Sequence, residues 1–101
     1  MSVDLFCYVS LPFGEVNKTI NLMVAKHHNI FHKNFLISSA REASAIHKEI
    51  ALEFNLVALC TFIVSLNDKN SGGLVLDVVT LIKEAFGDDR VVVLHTNEVR
   101  I

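Results

Sequence analysis

The sequence predicts one α/β domain of three layers, in which a mainly parallel four-stranded sheet has helices on its faces. The chain has 101 residues, which is the length of a single domain, and we expect residues 1–101 to form it. Strand-like and helix-like segments alternate in the order β-α-β-α-β-α-β with short links, which favours right-handed crossovers between parallel strands. This pattern does not determine the strand order, and a mixed sheet with one antiparallel edge strand is the alternative. The apolar runs at 57–66 and 91–94 are nearly continuous, as in parallel strands that are covered on both sides.

The first half of the chain contains two strand-like segments and one helical segment. Residues 3–9 (VDLFCYV) are rich in β-branched and aromatic residues and predict a strand, and residues 34–38 (NFLIS) predict a shorter one. Between them a helical pattern opens at Gly14. One face of this helix collects Val16, Ile20, Met23, Val24 and His27.

The second half contains two helices and two strands. Residues 39–42 (SARE) have the form of a capping box that starts the second helix, and Asn55 can end it in a left-handed conformation. The predicted buried stripe of this helix is Ala43, Ile46, Ile50 and Phe54. We expect residues 57–66 to form a central strand buried on both faces. The third helix should end at Gly87, and residues 91–95 predict the last strand.

Composition and charge exclude several classes of protein. The net charge is −2 and the nine basic residues are spread among carboxylates, so we expect no direct contact with nucleic acid, which requires clustered lysine and arginine. No apolar run approaches the roughly 18 residues of a membrane span, and no secretory signal pattern is present. Cys7 and Cys60 both lie inside apolar runs, which indicates two buried free thiols. We therefore expect a cytoplasmic protein in a reducing compartment, without membrane contact.

Three of the five histidines, His27, His28 and His32, lie close together. His28 and His32 have the four-residue spacing of helical zinc ligands, but no Glu follows His28 and no third ligand lies nearby. We interpret the cluster as histidines at a helix C-terminus, where a positive charge complements the helix dipole. We expect no metal and no other cofactor, with a metal site as the alternative.

Covalent catalysis has candidate groups in this sequence but no recognisable motif. The candidates are the hydroxyls of Ser38, Ser39, Ser65 and Ser71, the bases His47 and His95, and Asp68 as an orienting acid. None of these serines lies in a G-x-S-x-G elbow. Residues 71–73 (SGG) could hold an anion, but they match neither the P-loop nor the dinucleotide fingerprint. We predict no catalytic residues. The alternatives are a small metal-binding or hydrolytic enzyme that uses the histidine cluster, and a small-ligand or nucleotide-binding domain that uses the loop at 67–73.

One edge of the predicted sheet is the candidate binding surface. In a parallel sheet the carboxyl ends of all strands share one edge, and open α/β sheets bind their ligands there. The polar segments that follow the strands would then lie together, with one aromatic side chain as an apolar anchor. The predicted partner-binding residues are Phe13, Asp68, Asn70, His95, Asn97 and Glu98. Such a surface suits contact with another protein.

Three short segments give the chain a resemblance to a known family. They are residues 3–8 (VDLFCY), 66–69 (LNDK) and 96–98 (TNE). With its small size, mild acidity and lack of catalytic motifs, the chain resembles the cytoplasmic immunity proteins of bacterial contact-dependent growth inhibition systems. The resemblance implies a one-to-one complex with a cognate toxin domain, often a nuclease, whose active site or partner surface the immunity protein would block. It implies no cofactor.

Overall fold

The computed structural model describes residues 4–28, 31, 35–66, 75–95 and 99–100. Within these ranges the chain forms three helices and six strands. Their bounds in chain order are β1 (Asp4–Val9), α1 (Phe13–Lys26), β2 (Phe35–Ile37), β3 (Arg41–Glu42), α2 (Ala45–Leu52), β4 (Cys60–Leu66), α3 (Val75–Phe86), β5 (Val91–His95) and β6 (Val99–Arg100). None of these described helices combines the length and the apolar character that a membrane span requires.

Every pair of neighbouring strands in the described sheet is antiparallel, so the predicted mainly parallel four-stranded sheet is wrong. The strand order is β2-β4-β1-β5-β6, and β3 pairs with β4 beyond the end of β2. The central strand β1 lies between β4 and β5, and both run opposite to it. Val9, at the end of β1, therefore faces Cys60 and Val91, at the starts of its two neighbours.

A continuous apolar run indicates that a strand is buried, but it does not indicate the direction of the strand. An antiparallel strand that is covered on both sides is also apolar. Residues 91–94 are buried throughout, although β5 is antiparallel to both of its neighbours. The expected strand at 57–66 is shorter than predicted and begins at Cys60. Val57 is 65% exposed and Ile63 is 39% exposed, so this segment is not buried on both faces.

One face of the sheet, called here the first face, carries Cys7, Phe62 and Val93, which are cross-strand neighbours. Helices α1 and α3 cover it and pack against each other. Their apolar stripes follow the helical period, because positions three and four apart share a side of a helix. The buried helical side chains on this face are Val16, Ile20, Met23, Val78, Val79, Ile82 and Phe86.

The opposite face, called here the second face, carries the cross-strand neighbours Phe6, Ile63 and Leu94. Helix α2 and the segment after it cover only part of this face. A second apolar cluster forms there, in which Ala51 of α2 packs with Tyr8 and Leu94 of the sheet. The outer part of this face, on β4, remains open to solvent.

The end of α2 agrees with the sequence prediction and its start does not. Asn55 has a positive φ of 63°, the left-handed conformation that an asparagine tolerates, and Gly87 after α3 has a φ of 97°. The capping box that starts α2 is formed by Ser44 and His47, and not by residues 39–42. Because the helix starts several residues later than predicted, Ile46 points away from the core and is 68% exposed.

The two thiols are free and buried on the first face, as predicted from their apolar surroundings. Burial raises the pKa of both thiols, and the Glu42 carboxylate adds to the rise at Cys60. Because the thiolate is the reactive form, we expect alkylation of the native protein at pH 8 to be slow at both positions. After denaturation, mass spectrometry should find two modified thiols per chain. Finding none would mean that Cys7 and Cys60 form a disulfide.

Candidate functional site

The antiparallel sheet divides the predicted binding surface between its two ends. Strands β4 and β5 both end beside the amino end of β1, where Leu5 is opposite both Val64 and His95. Phe13 begins α1 just after the carboxyl end of β1, which is the opposite end of the sheet. Phe13 and His95 therefore do not share one edge, because that expectation rested on parallel strands.

The other four predicted residues, Asp68, Asn70, Asn97 and Glu98, lie outside the described residues. They follow β4 and β5, which end at the same end of the sheet with only β1 between them. The ends of β4 and β5 are therefore two strand spacings apart, which is about 10 Å. A shared surface at this end, called here the strand-end surface, remains a prediction that includes the half-buried His95.

Phe13 has a different neighbourhood from the one predicted. Its side chain is 50% exposed and lines a groove of about 340 Å³ at the carboxyl end of β1. The exposed Leu59 lies in the same groove, together with Glu42 and Lys48. The groove therefore combines two large exposed apolar side chains with one acid and one base.

The edge of the sheet beside β4 contains a β-bulge. Between the pairs Ile37–Val64 and Arg41–Thr61, three residues at 38–40 face only two residues on β4. The Ser38 backbone N–H donates to the Ile63 carbonyl at 2.9 Å, and the Ile63 N–H donates to Ser38 Oγ at 2.9 Å. A bulge of this kind inserts one extra residue and changes the direction of the side chains that follow it.

The bulge places Arg41 on the second face. Side chains directly opposite each other in an antiparallel pair lie on the same face, and Leu36 faces Ser65 on the second face. Strict alternation from Leu36 would turn residue 41 to the first face. Because of the extra residue, Arg41 instead faces Thr61 on the second face. The Asn17 side chain of α1 holds the bulge by accepting a hydrogen bond from the Ala40 N–H at 2.9 Å.

The open part of the second face forms a cleft of about 240 Å³ beside α2, called here the second-face cleft. Its walls are Phe6, Cys7, Tyr8, Ser38, Ser39, Arg41, His47, Thr61, Phe62 and Ile63. Arg41 and His47 are the basic groups of this lining, and none of the described residues that line the cleft carries a carboxylate. The cleft is therefore basic or neutral, in a chain with a net charge of −2.

Two contacts fix the position of the His47 ring. Its Nδ1 accepts a hydrogen bond from the Ser44 backbone N–H at 3.4 Å, and its ring meets Tyr8 edge-on with centroids 5.9 Å apart. A neutral imidazole that accepts at Nδ1 carries its proton on Nε2. His47 therefore presents an N–H donor from a ring that is already oriented. The S-x-x-H pattern at 44–47 is the sequence signal for this arrangement.

The chemical alternatives gain no support from the described residues. Ser38 and Ser39 share the second-face cleft with His47, but the Ser38 hydroxyl donates to the Ser39 carbonyl at 3.2 Å. Helix α1 ends at Lys26, so the helical spacing of the histidines is not continued, and His32 lies outside the described residues. The described part of the chain contains no group of three potential metal ligands. The loop at 67–73 also lies outside it, and the absence of a metal stays a prediction.

Comparison with known proteins identifies the family. A model of the CDI System Immunity Component family matches residues 1–99. Immunity protein CdiI-2 from Burkholderia pseudomallei strain 1026b is 41% identical over 100 residues, which cover 99% of each chain. A chain of the CdiA-CT/CdiI toxin and immunity complex from Burkholderia pseudomallei superposes with a TM-score of 0.93 at 41% identity, covering 97% of this chain and 95% of that chain. The protein described here therefore belongs to the family of immunity proteins of contact-dependent growth inhibition systems.

Proposed function

We propose that this chain is a non-catalytic inhibitor that binds and neutralises the toxin domain of its own growth inhibition system in the cytoplasm. The observation that carries the proposal is the 41% identity to CdiI-2 over 99% of both chains. A shared fold alone does not imply a shared function, but here the sequence itself matches the family over residues 1–99 as well as the fold. The solved relative in a toxin and immunity complex supports the same assignment.

A toxin interface would take up a large part of one side of this small protein. Stable protein interfaces bury about 800 Å² on each partner, which is roughly an eighth of the 6009 Å² accessible surface of this chain. The strand-end surface is the first candidate, with Asp68, Asn70, His95, Asn97 and Glu98 as contact residues. Phe13 would form a separate contact at the other end of the sheet. If the toxin is a nuclease, it must attract phosphate, and the acids at 68 and 98 would complement its basic surface.

The test is a direct assay of neutralisation. The probe is the toxin domain encoded immediately upstream of this chain, expressed in a bacterial host with and without the chain. We expect the chain to restore growth and, after purification, to form a one-to-one complex in size-exclusion chromatography with light scattering. Another immunity protein that is unrelated in sequence serves as the control and should not protect. Absence of both complex and protection would contradict the proposal.

A further inference from the structure

We propose that the second-face cleft receives one carboxylate side chain of the toxin domain, bound between the Arg41 guanidinium and the His47 Nε2–H. This inference rests on the proposed function, because its occupant belongs to the toxin. The strand-end surface would contribute acidic side chains to the interface, whereas the cleft would contribute basic ones. The bulge at residues 38–40 would act in binding because it places Arg41 on the second face.

The charge of the cleft supports an acidic occupant. Arg41 is exposed and has neither an ion pair nor a hydrogen bond from its side chain within the described residues. Among the residues that the structure describes, no carboxylate lines the cleft to neutralise Arg41. An arginine presents paired N–H donors in a planar arrangement that matches a carboxylate, and such charge-assisted hydrogen bonds are stronger than neutral ones.

The geometry of the cleft supports a single side chain and not a flat contact. A volume of about 240 Å³ admits a side chain together with the backbone that carries it. Phe6 and Ile63 give the cleft an apolar wall, and His47 is held in place by Ser44 and Tyr8 before any partner arrives. A donor that is already held in place loses little entropy on binding, so His47 favours one orientation of the partner.

The position of the cleft fits the same interface as the strand-end surface. Ser65, near the end of β4, lies four residue steps along the strand from Thr61, which faces Arg41. At about 3.3 Å per residue this is roughly 13 Å. A footprint of about 800 Å² spans close to twice that distance, so one toxin domain can reach both places.

The experiment titrates purified wild-type chain and variants against the upstream toxin domain by calorimetry at low and high salt. We expect Arg41→Ala to weaken binding about 10-fold and Arg41→Glu about 100-fold, since the first removes charge-assisted hydrogen bonds and the second also places a like charge beside the toxin carboxylate. Arg41→Lys keeps the charge without the paired donors and should fall between wild type and Arg41→Ala. Lys18→Ala and Lys18→Glu are the matched controls, because they make the same charge changes at an exposed residue of α1, on the other side of the sheet from the cleft. Their affinity for the toxin should stay within about twofold of wild type.

A charge exchange identifies the occupant. Each Asp and Glu of the toxin domain is replaced by Arg in turn and tested against Arg41→Glu, and we expect one such pair to recover at least about 10-fold in affinity. Failure of every pair, or unchanged affinity of the Arg41 variants while wild type binds, would overturn this inference alone. Failure of wild type to bind the toxin would overturn the proposed function as well. If the free chain binds inorganic phosphate saturably and Arg41→Ala abolishes that binding, the cleft is an anion site, and the proposal of a toxin carboxylate is overturned.

Discussion

Replacing Phe62 by alanine is expected to lower the free energy of unfolding by about 3–5 kcal/mol, as for other buried phenylalanines. Phe62 is 2% exposed and lies on the first face of β4, where its ring is 5.5 Å from that of Phe86 in α3. Its removal takes away apolar surface buried between sheet and helix, the ring contact, and the atoms that fill the space. A domain of 101 residues has a total stability of about 5–15 kcal/mol, so the loss is a large fraction of it.

Urea unfolding at 25 °C measures this effect, and Ile63→Ala is the matched control. Ile63 is the next residue on the same strand, but it lies on the second face and is 39% exposed, so its truncation should cost about 1 kcal/mol or less. A strand that slips by one residue exchanges its two faces. Equal losses at positions 62 and 63, or a larger loss at 63, would therefore contradict the register of β4.

Charge reversal at the strand-end surface is expected to weaken toxin binding by about 1–3 kcal/mol for each of Asp68→Lys and Glu98→Lys. If the toxin surface is basic, each new lysine places a like charge where an opposite one was favoured. Both residues follow strands that end at the same end of the sheet. The measurement is a titration of each variant against the upstream toxin domain, accompanied by thermal unfolding to show that the fold is retained.

Glu84→Lys is the control for these two variants. It makes the same change in net charge at an exposed position on α3, which covers the first face of the sheet. We expect its affinity to remain within about twofold of wild type, since isolated surface charges contribute little. If Asp68→Lys and Glu98→Lys bind the toxin as wild type does, the strand-end surface is not the interface. The Phe13 groove would then be the next place to test.

Local patterns predicted most of the elements of this protein. Helices α1 and α3 follow the helical period of their apolar residues, and Gly87 ends α3 because a glycine adopts a positive φ without strain. Both cysteines are buried where the apolar runs placed them. The family resemblance was likewise visible in the sequence and is confirmed by the match over residues 1–99.

Local patterns failed where a choice depended on partners distant in the chain. Two capping signals compete for the start of α2, and Ser44 is used because residues 41–42 pair with β4 instead. The exposure of Ile63 depends on how much of the second face α2 covers, and no local sequence pattern indicates that extent. The third failure, strand direction, had the largest effect on the predicted site, because it moved Phe13 away from His95.

The sequence by itself determined the three helices, the four longer strands and the family to which the chain belongs, but it predicted neither β3 nor β6. Only the tertiary structure decided the antiparallel strand order and the cleft that joins Arg41 to His47. The physical reason is that period and capping act over a few residues, whereas strand pairing brings together residues far apart in the chain. The one-residue bulge at 38–40 decides the face on which Arg41 lies, and only the pairing with β4 reveals it.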